Sequence, residues 1–337
     1  MRRTTPALPS EPVEPAEPIS YVIKGRPAPW ANPEPRTLNP MTPKSHLTQI
    51  AASLHLDACG ACSASFGSTL KEQLQKAGPV PFAPPSLEER LDPSALLKEA
   101  RSFFVILFPY KPAKPEEGNI ALYARPTDYH KVIHRYLQKI IETAALSYPG
   151  EQFLPLVDTS PMVDRWLAYA AGLGFFGRNH CLIHPTYGSF VTIGSILTTL
   201  PLTPDKPLTL DCGSCRECLI RCPGRAIGEH RLNPFQCKSY LTQKKEDLSS
   251  EEIQILQRTH YIFGCDECQR FCPFNQRSAP SPLPEIYEHR ISTLTKEEMD
   301  TYSNRAFDKA FHSYAFAWRG KKVLLRNWEI VNKKHGD

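Results

Sequence analysis

The clearest periodic signal in the chain begins at Asp128, where Tyr129, Val132, Ile133, Tyr136, Leu137, Ile140, Ile141 and Ala144 recur at three- and four-residue steps. Apolar side chains at that spacing line one face of an α-helix, and Asp128 is suited to cap it. A second helix is predicted within "DTSPMVDRWLAYAAGLG", with Pro161 in its first turn and Gly172 and Gly174 at its end. Two β-rich apolar runs, "SFFVILFPY" (Ser102–Tyr110) and "GSFVTIGSILTTL", predict buried strands. Upstream, "SHLTQIAASLHL" reads as helix, "DACGACSASF" as a strand-like run of small residues, and a further helix ends near Ala77. Strands alternating with helices predict a layered domain of the α+β or α/β class over residues 44–203.

Composition changes on both sides of that domain. Residues 1–43 hold 11 of the 33 prolines and little apolar periodicity, so they read as a poorly ordered tail, with Met41 a second candidate start. Residues 204–280 have too few large apolar side chains for a core of their own, which makes metal the expected staple. Residues 281–337 form a polar, helical, basic segment. From Ala317 to Asp337 the chain carries Arg319, Lys321, Lys322, Arg326, Lys333 and Lys334 against Glu329 and Asp337, a net +4 out of +5 for the whole chain. With Trp318 and Trp328 interleaved, that stretch suits phosphate and bases; a solvated helix face with two core tryptophans accounts for it equally well. No apolar run approaches the ~18 residues of a membrane helix. Met-Arg-Arg at the start lacks the apolar region of a twin-arginine signal, so a cytoplasmic protein is expected.

Eleven cysteines are present, eight of them between Cys212 and Cys272. An odd, clustered set argues for metal over a disulfide framework. Cys212, Cys215, Cys218 and Cys222, followed by Pro223, have the bacterial ferredoxin spacing, in which three thiolates hold one [4Fe–4S] cube and the fourth reaches the other. Cys265, Cys268 and Cys272, followed by Pro273, repeat it with one ligand missing, and Cys237 fills the count. Crossed sharing predicts cluster 1 on Cys212, Cys215, Cys218 and Cys272, and cluster 2 on Cys222, Cys237, Cys265 and Cys268. Zinc competes for any single CxxC pair but does not call for two trailing Cys-Pro steps. Cys59 and Cys62 read as structural residues of a strand, and Cys181 as a buried thiol.

A ferredoxin alone does not need a full α/β domain in front of it. Within that domain, Asp158 precedes a helix N-terminus. Its position suits a cap, with a lowered pKa; burial under a large apolar cofactor would instead raise its pKa and keep a proton for delivery. Spacing alone favours the cap. Gly172, Gly174 and Gly177 follow a helix rather than open one, so they fit a C-cap and a close backbone approach to a flat ligand better than a dinucleotide fingerprint. Arg178 and Asn179 would then meet that ligand's rim.

Taken in order, "YARPTDYHK", "VDTSPMVDR", "AGLGFFGRN", "GSFVTIGSILT", "CGSCRECLIRCPGRAI", "CKSYLT" and "FGCDECQRFCPFN" resemble the epoxyqueuosine reductase family. The resemblance covers about residues 102–276 and is weaker at "RGKKVLLRN". It implies a nitroreductase-like α/β domain holding base-off cobalamin, a ferredoxin-like domain with two [4Fe–4S] clusters, and a short helical C-terminus. The activity implied is reduction of epoxyqueuosine to queuosine at the wobble position of a tRNA anticodon stem-loop. By the same resemblance Asp158 is the proton donor, Cys237 a cluster ligand, and Arg178, Asn179, Ser189, Ser239 and Gln269 accompany Asp158 at the corrin. A monomer served by a flavodoxin or ferredoxin is expected.

Family members commonly have lysine at Arg178, glutamate at Asp164 and a Cys-Pro-Thr-Gly step where this chain has Cys222-Pro223-Gly224-Arg225. Many also extend past "LRN" into a helical-repeat domain. Those departures keep two alternatives open: a cobalamin-dependent reductase of a small molecule, as in the related reductive dehalogenases, and a two-cluster electron carrier without corrin.

Overall fold

The structure is a computed structural model and describes residues 41–333 other than Pro85 and His230. Most of the expected Pro-rich tail lies outside the described residues. Its boundary shifts slightly, because helix α1 (Pro43–Ser53) starts at Pro43 with Thr42 accepting the Ser45 N–H. Proline is tolerated there because a first-turn residue needs no N–H.

After α1 come β1 (Cys59–Ser63), α2 (Gly67–Ala77), α3 (Leu87–Leu91), β2 (Ser102–Pro109), α4 (Tyr129–Ser147), β3 (Phe153–Leu156), α5 (Asp164–Ala170), β4 (Phe175–Phe176), β5 (Leu182–Ile183) and β6 (Val191–Thr198). The cysteine segment contributes α6 (Glu217–Arg221), α7 (Lys238–Leu241), α8 (Ser250–Gln257), α9 (Glu267–Arg270) and α10 (Pro273–Gln276). The C-terminal segment adds α11 (Lys296–Asp300), α12 (Asn304–Phe311) and α13 (Lys321–Asn332).

The main sheet has the order β1-β2-β6-β3, and every ladder in it is antiparallel. The predicted layers are present, and of the two classes expected the all-antiparallel sheet fits α+β. β6, late in sequence, inserts between β2 and β3 and removes the parallel neighbours that a βαβ unit requires. All eight residues of β2 are buried. Phe104, Ile106 and Phe108 enter the core shared with α1 and α4, while Phe103, Val105 and Leu107 enter the one shared with α5. This is the two-residue alternation of a strand covered on both faces. Helix α4 buries Val132, Ile133, Tyr136, Leu137, Ile140 and Ala144, and Asp128 caps it by accepting the His130 N–H.

The second predicted helix starts later than expected. Pro161 lies ahead of α5, in a turn where the Thr159 hydroxyl donates to the Val157 carbonyl and Ser160 Oγ accepts the Met162 N–H. Short hydroxyl side chains there satisfy backbone groups that a helix would have used. The helix does end as predicted, with Gly172 at φ +71°.

A third core joins Ile262 and Phe263 of the cysteine segment to Ile120 and Ala124 upstream and to Met299, Phe307, Phe311, Phe316 and Leu324 downstream. The C-terminal segment thus supplies apolar area that the cysteine segment lacks. Its polar anchor is Asn327, fully buried, whose side-chain amide donates to the carbonyls of Thr242 and Ile262. Among the described residues, no helix is long and apolar enough to cross a membrane.

Replacing Asn327 with leucine strands two buried carbonyls, at about 1–3 kcal/mol for each unsatisfied group. We expect the Asn327→Leu protein to melt several degrees below the parent in calorimetry. An unchanged melting temperature would show that α13 is not anchored in this way.

Candidate active site

The thiols gather into two groups. Cys218 lies within electrostatic reach of Cys212, Cys215 and Cys272, and Cys272 within reach of Cys212 and Cys215. In the second group Cys237 feels Cys222 and Cys181, Cys265 feels Cys237, and Cys268 feels Cys181 most strongly, then Cys265 and Cys237. Each group therefore includes a thiol from outside its own sequence motif. The helices make this possible: Cys222 ends α6, Cys237 begins α7, and Cys272 begins α10, with Pro273 in that helix's first turn. Burial pushes the Cys218 thiol up to about 11. A thiol so placed ionises at neutral pH only when a metal compensates the charge, and a set of eight thiols without histidine or carboxylate suits iron–sulfur ligation. Main-chain N–H groups already aim at the sulfurs, Arg178 at Cys212 (3.4 Å) and Ala226 at Cys222 (3.3 Å).

Cys59 and Cys62 sit on β1 with thiols raised by burial to about 11 and 12, which leaves them protonated and inert. Cys181 is not merely a core thiol, because its side chain hydrogen-bonds to Cys268.

Asp158 lies on the turn ahead of α5, in the left-handed region at φ +47°, with its side chain 59% exposed. It is not a helix cap; Val163 occupies that position. Its Oδ2 accepts the Tyr129 hydroxyl at 2.5 Å and lies 3.3 Å from His130 Nε2. The other ring nitrogen of His130 is 2.7 Å from Asp128 Oδ1. The hydrogen bond with His130 holds Asp158 below the ordinary carboxylate range, against the effect of burial. This is opposite to the elevation expected for a stored proton. Burial disfavours charge on His130, but its bonds to Asp128 and Asp158 prevail and raise it to about 9, so the imidazole carries the proton at neutral pH. From sequence, Tyr129 is expected only on the core face of α4 and His130 only as part of "YARPTDYHK"; neither has a chemical role assigned there.

Asp164, the first residue of α5, is pushed by burial up to about 7, with the charge of Asp158 adding to the effect; Arg165, the Asp158 backbone N–H and His130 oppose it. Its Oδ1 is shielded from solvent and has no hydrogen-bond partner. Tyr123 links this corner to the second thiol group, since charges on both Asp158 and Cys237 reach its hydroxyl.

Other residues expected at a corrin are engaged elsewhere. Ser189 and Gln269 are only 3% and 8% exposed. Gln269 Nε2 donates to Ser189 O (2.8 Å) and Oγ (3.1 Å), and Asn275 Nδ2 donates to Ser189 Oγ (2.8 Å). Their side chains face protein rather than an open ligand surface. Arg178 donates to the Gly213 carbonyl at 2.9 Å and pairs with Glu229, which ties it to the Cys212 loop. Asn179 is buried, donating to the Cys268 carbonyl and accepting the Cys181 N–H. The close approaches at Gly174 and Gly177 are to Ile183, where an added Cβ would come within 2.6 and 2.4 Å of its atoms. The glycines thus serve packing of β4 on β5 rather than a flat ligand. Ser239 remains half-exposed beside Cys237.

We expect His130 to titrate near 9 in NMR, and to titrate lower, towards its ordinary value, in Asp158→Asn. Because His130 is raised in the folded chain, its contribution to stability is complete below its unfolded pKa of ~6.5 and is lost as pH climbs through 9. Titration of His130 near 6.5 in both proteins would show that the pair is not formed.

Comparison with known proteins assigns the chain to a family. Residues 211–275 match the family described as "4Fe-4S double cluster binding domain", and residues 90–159 match "Epoxyqueuosine reductase QueG, DUF1730". The epoxyqueuosine reductase of Listeria monocytogenes is 34% identical over 316 residues, covering 87% of this chain and 81% of its own. That of Leadbetterella byssophila is 31% identical and is spanned over 96% of its length. A crystal structure of epoxyqueuosine reductase with a tRNA-Tyr epoxyqueuosine-modified stem loop has a TM-score of 0.77 at 30% identity, covering 86% of this chain and 80% of that one. A Bacillus subtilis epoxyqueuosine reductase, described with its catalytic aspartate loop swung out of the active site, has a TM-score of 0.74 at 29% identity with the same coverage. With sequence identity above 30% across most of both chains, a double-cluster cysteine set and a shared fold, this protein belongs to the epoxyqueuosine reductase family.

Proposed function

We propose that the chain reduces epoxyqueuosine to queuosine in tRNA, with electrons entering through two [4Fe–4S] clusters and the reduction taking place on cobalamin beside Asp158. The observation that carries this reading is the Asp158 carboxylate, exposed and paired with His130 at 3.3 Å and Tyr129 at 2.5 Å, in a chain that also gathers its clustered thiols into two groups. Opening an epoxide to an alkene takes up two electrons and two protons and releases the oxygen as water. Cobalamin, when bound, supplies a low-valent metal able to deliver both electrons at one centre.

The chain's own residues supply position and protons. Asp158 is exposed to the open face and is the residue we assign to proton delivery, recharged from His130 Nε2 across 3.3 Å. The description of a catalytic aspartate loop in the Bacillus subtilis relative supports this assignment, since Asp158 lies on a strained turn of its own. Ser239, half-exposed with no protein partner recorded for its hydroxyl among the described residues, is the other residue we assign to the corrin. Arg178 and Asn179 would act one step back, fixing the cysteine loops, and Ser189 and Gln269 would support the joint between sheet and cysteine segment. The cluster ligands are the two quartets given above.

Reduction of a small molecule is the other reading; the relatives matched over most of this chain are epoxyqueuosine reductases, which favours the tRNA reading. The two-cluster carrier without corrin gives Asp158 and His130 no task.

In a strain lacking this gene and any second reductase, tRNA should accumulate epoxyqueuosine by mass spectrometry. Restoring the wild-type gene should clear it, and Asp158→Asn should not. Queuosine persisting in the deletion strain would remove the assignment. For the ligands, Cys237→Ala should lower iron from about eight towards about four atoms per chain, while Cys59→Ala keeps the full complement; the reverse pattern would refute the quartets.

A further inference from the structure

Nine large hydrophobic side chains are conspicuously exposed among the described residues, and Phe82, Phe235 and Trp318 are three of them, at 56%, 46% and 52%. They come from distant parts of the chain and meet around Tyr240. Phe82 lies 5.5 Å from Tyr240 and 5.5 Å from Trp318, ring centre to ring centre, and Phe235 lies 5.8 Å from Tyr240. Arg319 is laid over two of these rings, 3.6 Å from the centre of Trp318 and 4.8 Å from that of Phe82. Among the described residues its guanidinium has no hydrogen bond or ion pair, and its Nε is a buried donor without a partner. Glu246 is within electrostatic reach but forms no salt bridge with it.

From this geometry we infer that Phe82, Tyr240, Trp318 and Arg319 form a platform that stacks an unpaired base of the RNA substrate and takes its phosphate. The inference rests on the proposed tRNA reading and adds the surface that grips the loop. A flat ligand with a π-face and an adjoining negative charge uses both parts of the patch: rings accept the base, and the unpaired cation accepts the phosphate. Such stacking is a general means of holding splayed bases in single-stranded RNA loops. Position agrees with the task. Tyr240 is three residues from Cys237 and next to Ser239, so the platform shares a short stretch of chain with residues proposed for a cluster and for the corrin. Phe82 takes part from a loop in the left-handed region at φ +64°, a conformation disfavoured for a bulky residue, and the ring it presents is mostly in water.

Binding of a synthetic, fluorescently labelled tRNA-Tyr anticodon stem-loop to the iron-loaded protein tests the platform. Trp318→Ala and Phe82→Ala should each weaken binding about tenfold with little change in its salt dependence, whereas Trp318→Phe should retain most of the affinity. Arg319→Ala should reduce the slope of log K against log salt by about 0.7, the share of one phosphate on a single strand. Leu146→Ala, which removes a side chain 85% exposed on α4, should change nothing. Iron content and melting temperature identify any variant that fails to fold, and Phe82, on a loop, provides a second variant should Trp318→Ala do so. Equal affinity of the parent and both alanine variants would overturn the platform while leaving the proposed reaction intact. Unaltered RNA affinity together with a change in self-association or melting temperature would also overturn it, making the patch a protein contact. No binding by the parent protein would instead remove the tRNA reading on which the platform rests.

Discussion

The side-chain amide of Asn275 is the joint on which the rest of the site depends. Its oxygen accepts the Ser189 N–H at 2.6 Å, and its nitrogen donates to Ser189 Oγ and to the Gln269 carbonyl. Gly188 has no Cβ because one would sit 2.1 Å from that oxygen. Lys111, at the end of the central strand, donates to the Asn275 and Ser278 carbonyls and closes the same knot. One amide thus fixes the chain entering β6 against the α9–α10 corner that carries Cys268 and Cys272. On the proposed ligand assignment those two cysteines serve different clusters, so moving the corner would displace ligands of both together. A buried polar network of this kind adds little net stability but specifies one arrangement, because a slipped register would leave several donors and acceptors unpaired.

The same economy explains the long C-terminal segment. The apolar cluster of the cysteine segment itself is small, Leu241, Ile255 and Leu256, and Ile262 and Phe263 pack among α11, α12 and α13. Lys238, next to the ligand Cys237, is almost fully buried, and burial pushes it down to about 7 while its ammonium donates to the carbonyls of Leu256 and Thr259. Two backbone acceptors make that burial tolerable. The result is a scaffold in which cofactor ligation and core packing are shared among segments far apart in sequence.

How much of this was legible follows from the range of each interaction. Helix α4 and strand β2 were readable because periodicity is a local record of burial, and the eight thiols because their spacing is itself the ligand geometry. The crossed quartets rest on counting ligands and remain a proposal. Pairing of β6 between β2 and β3 was not readable, since strand partners are chosen by contacts across the whole domain. The start of α5 was misplaced because Thr159 and Ser160 bind their own backbone, a competition that proline in a first turn does not reveal. Ser189 and Gln269 carried family-level expectations that could not distinguish a ligand contact from the joint behind it. The ionisation of Asp158 depended on His130 and Tyr129 across a turn, and no spacing rule encodes that.

That ionisation bears on how a carboxylate held low can deliver a proton. In the open site the pair rests as Asp158 carboxylate and His130 imidazolium, each charge favouring the other. Excluding water from an ion pair penalises both charges at once: it raises the pKa of the carboxyl and lowers that of the imidazole. The two values therefore converge whenever a large apolar group covers Asp158, and the proton can pass from Nε2 to Oδ2 without a base from solution. Asp164 acts in the same direction, because any charge it carries adds to the repulsion that raises Asp158. On the proposed reading, Asp158 would not need to store a proton in the uncovered site; His130 would store it, and covering the site would make it available.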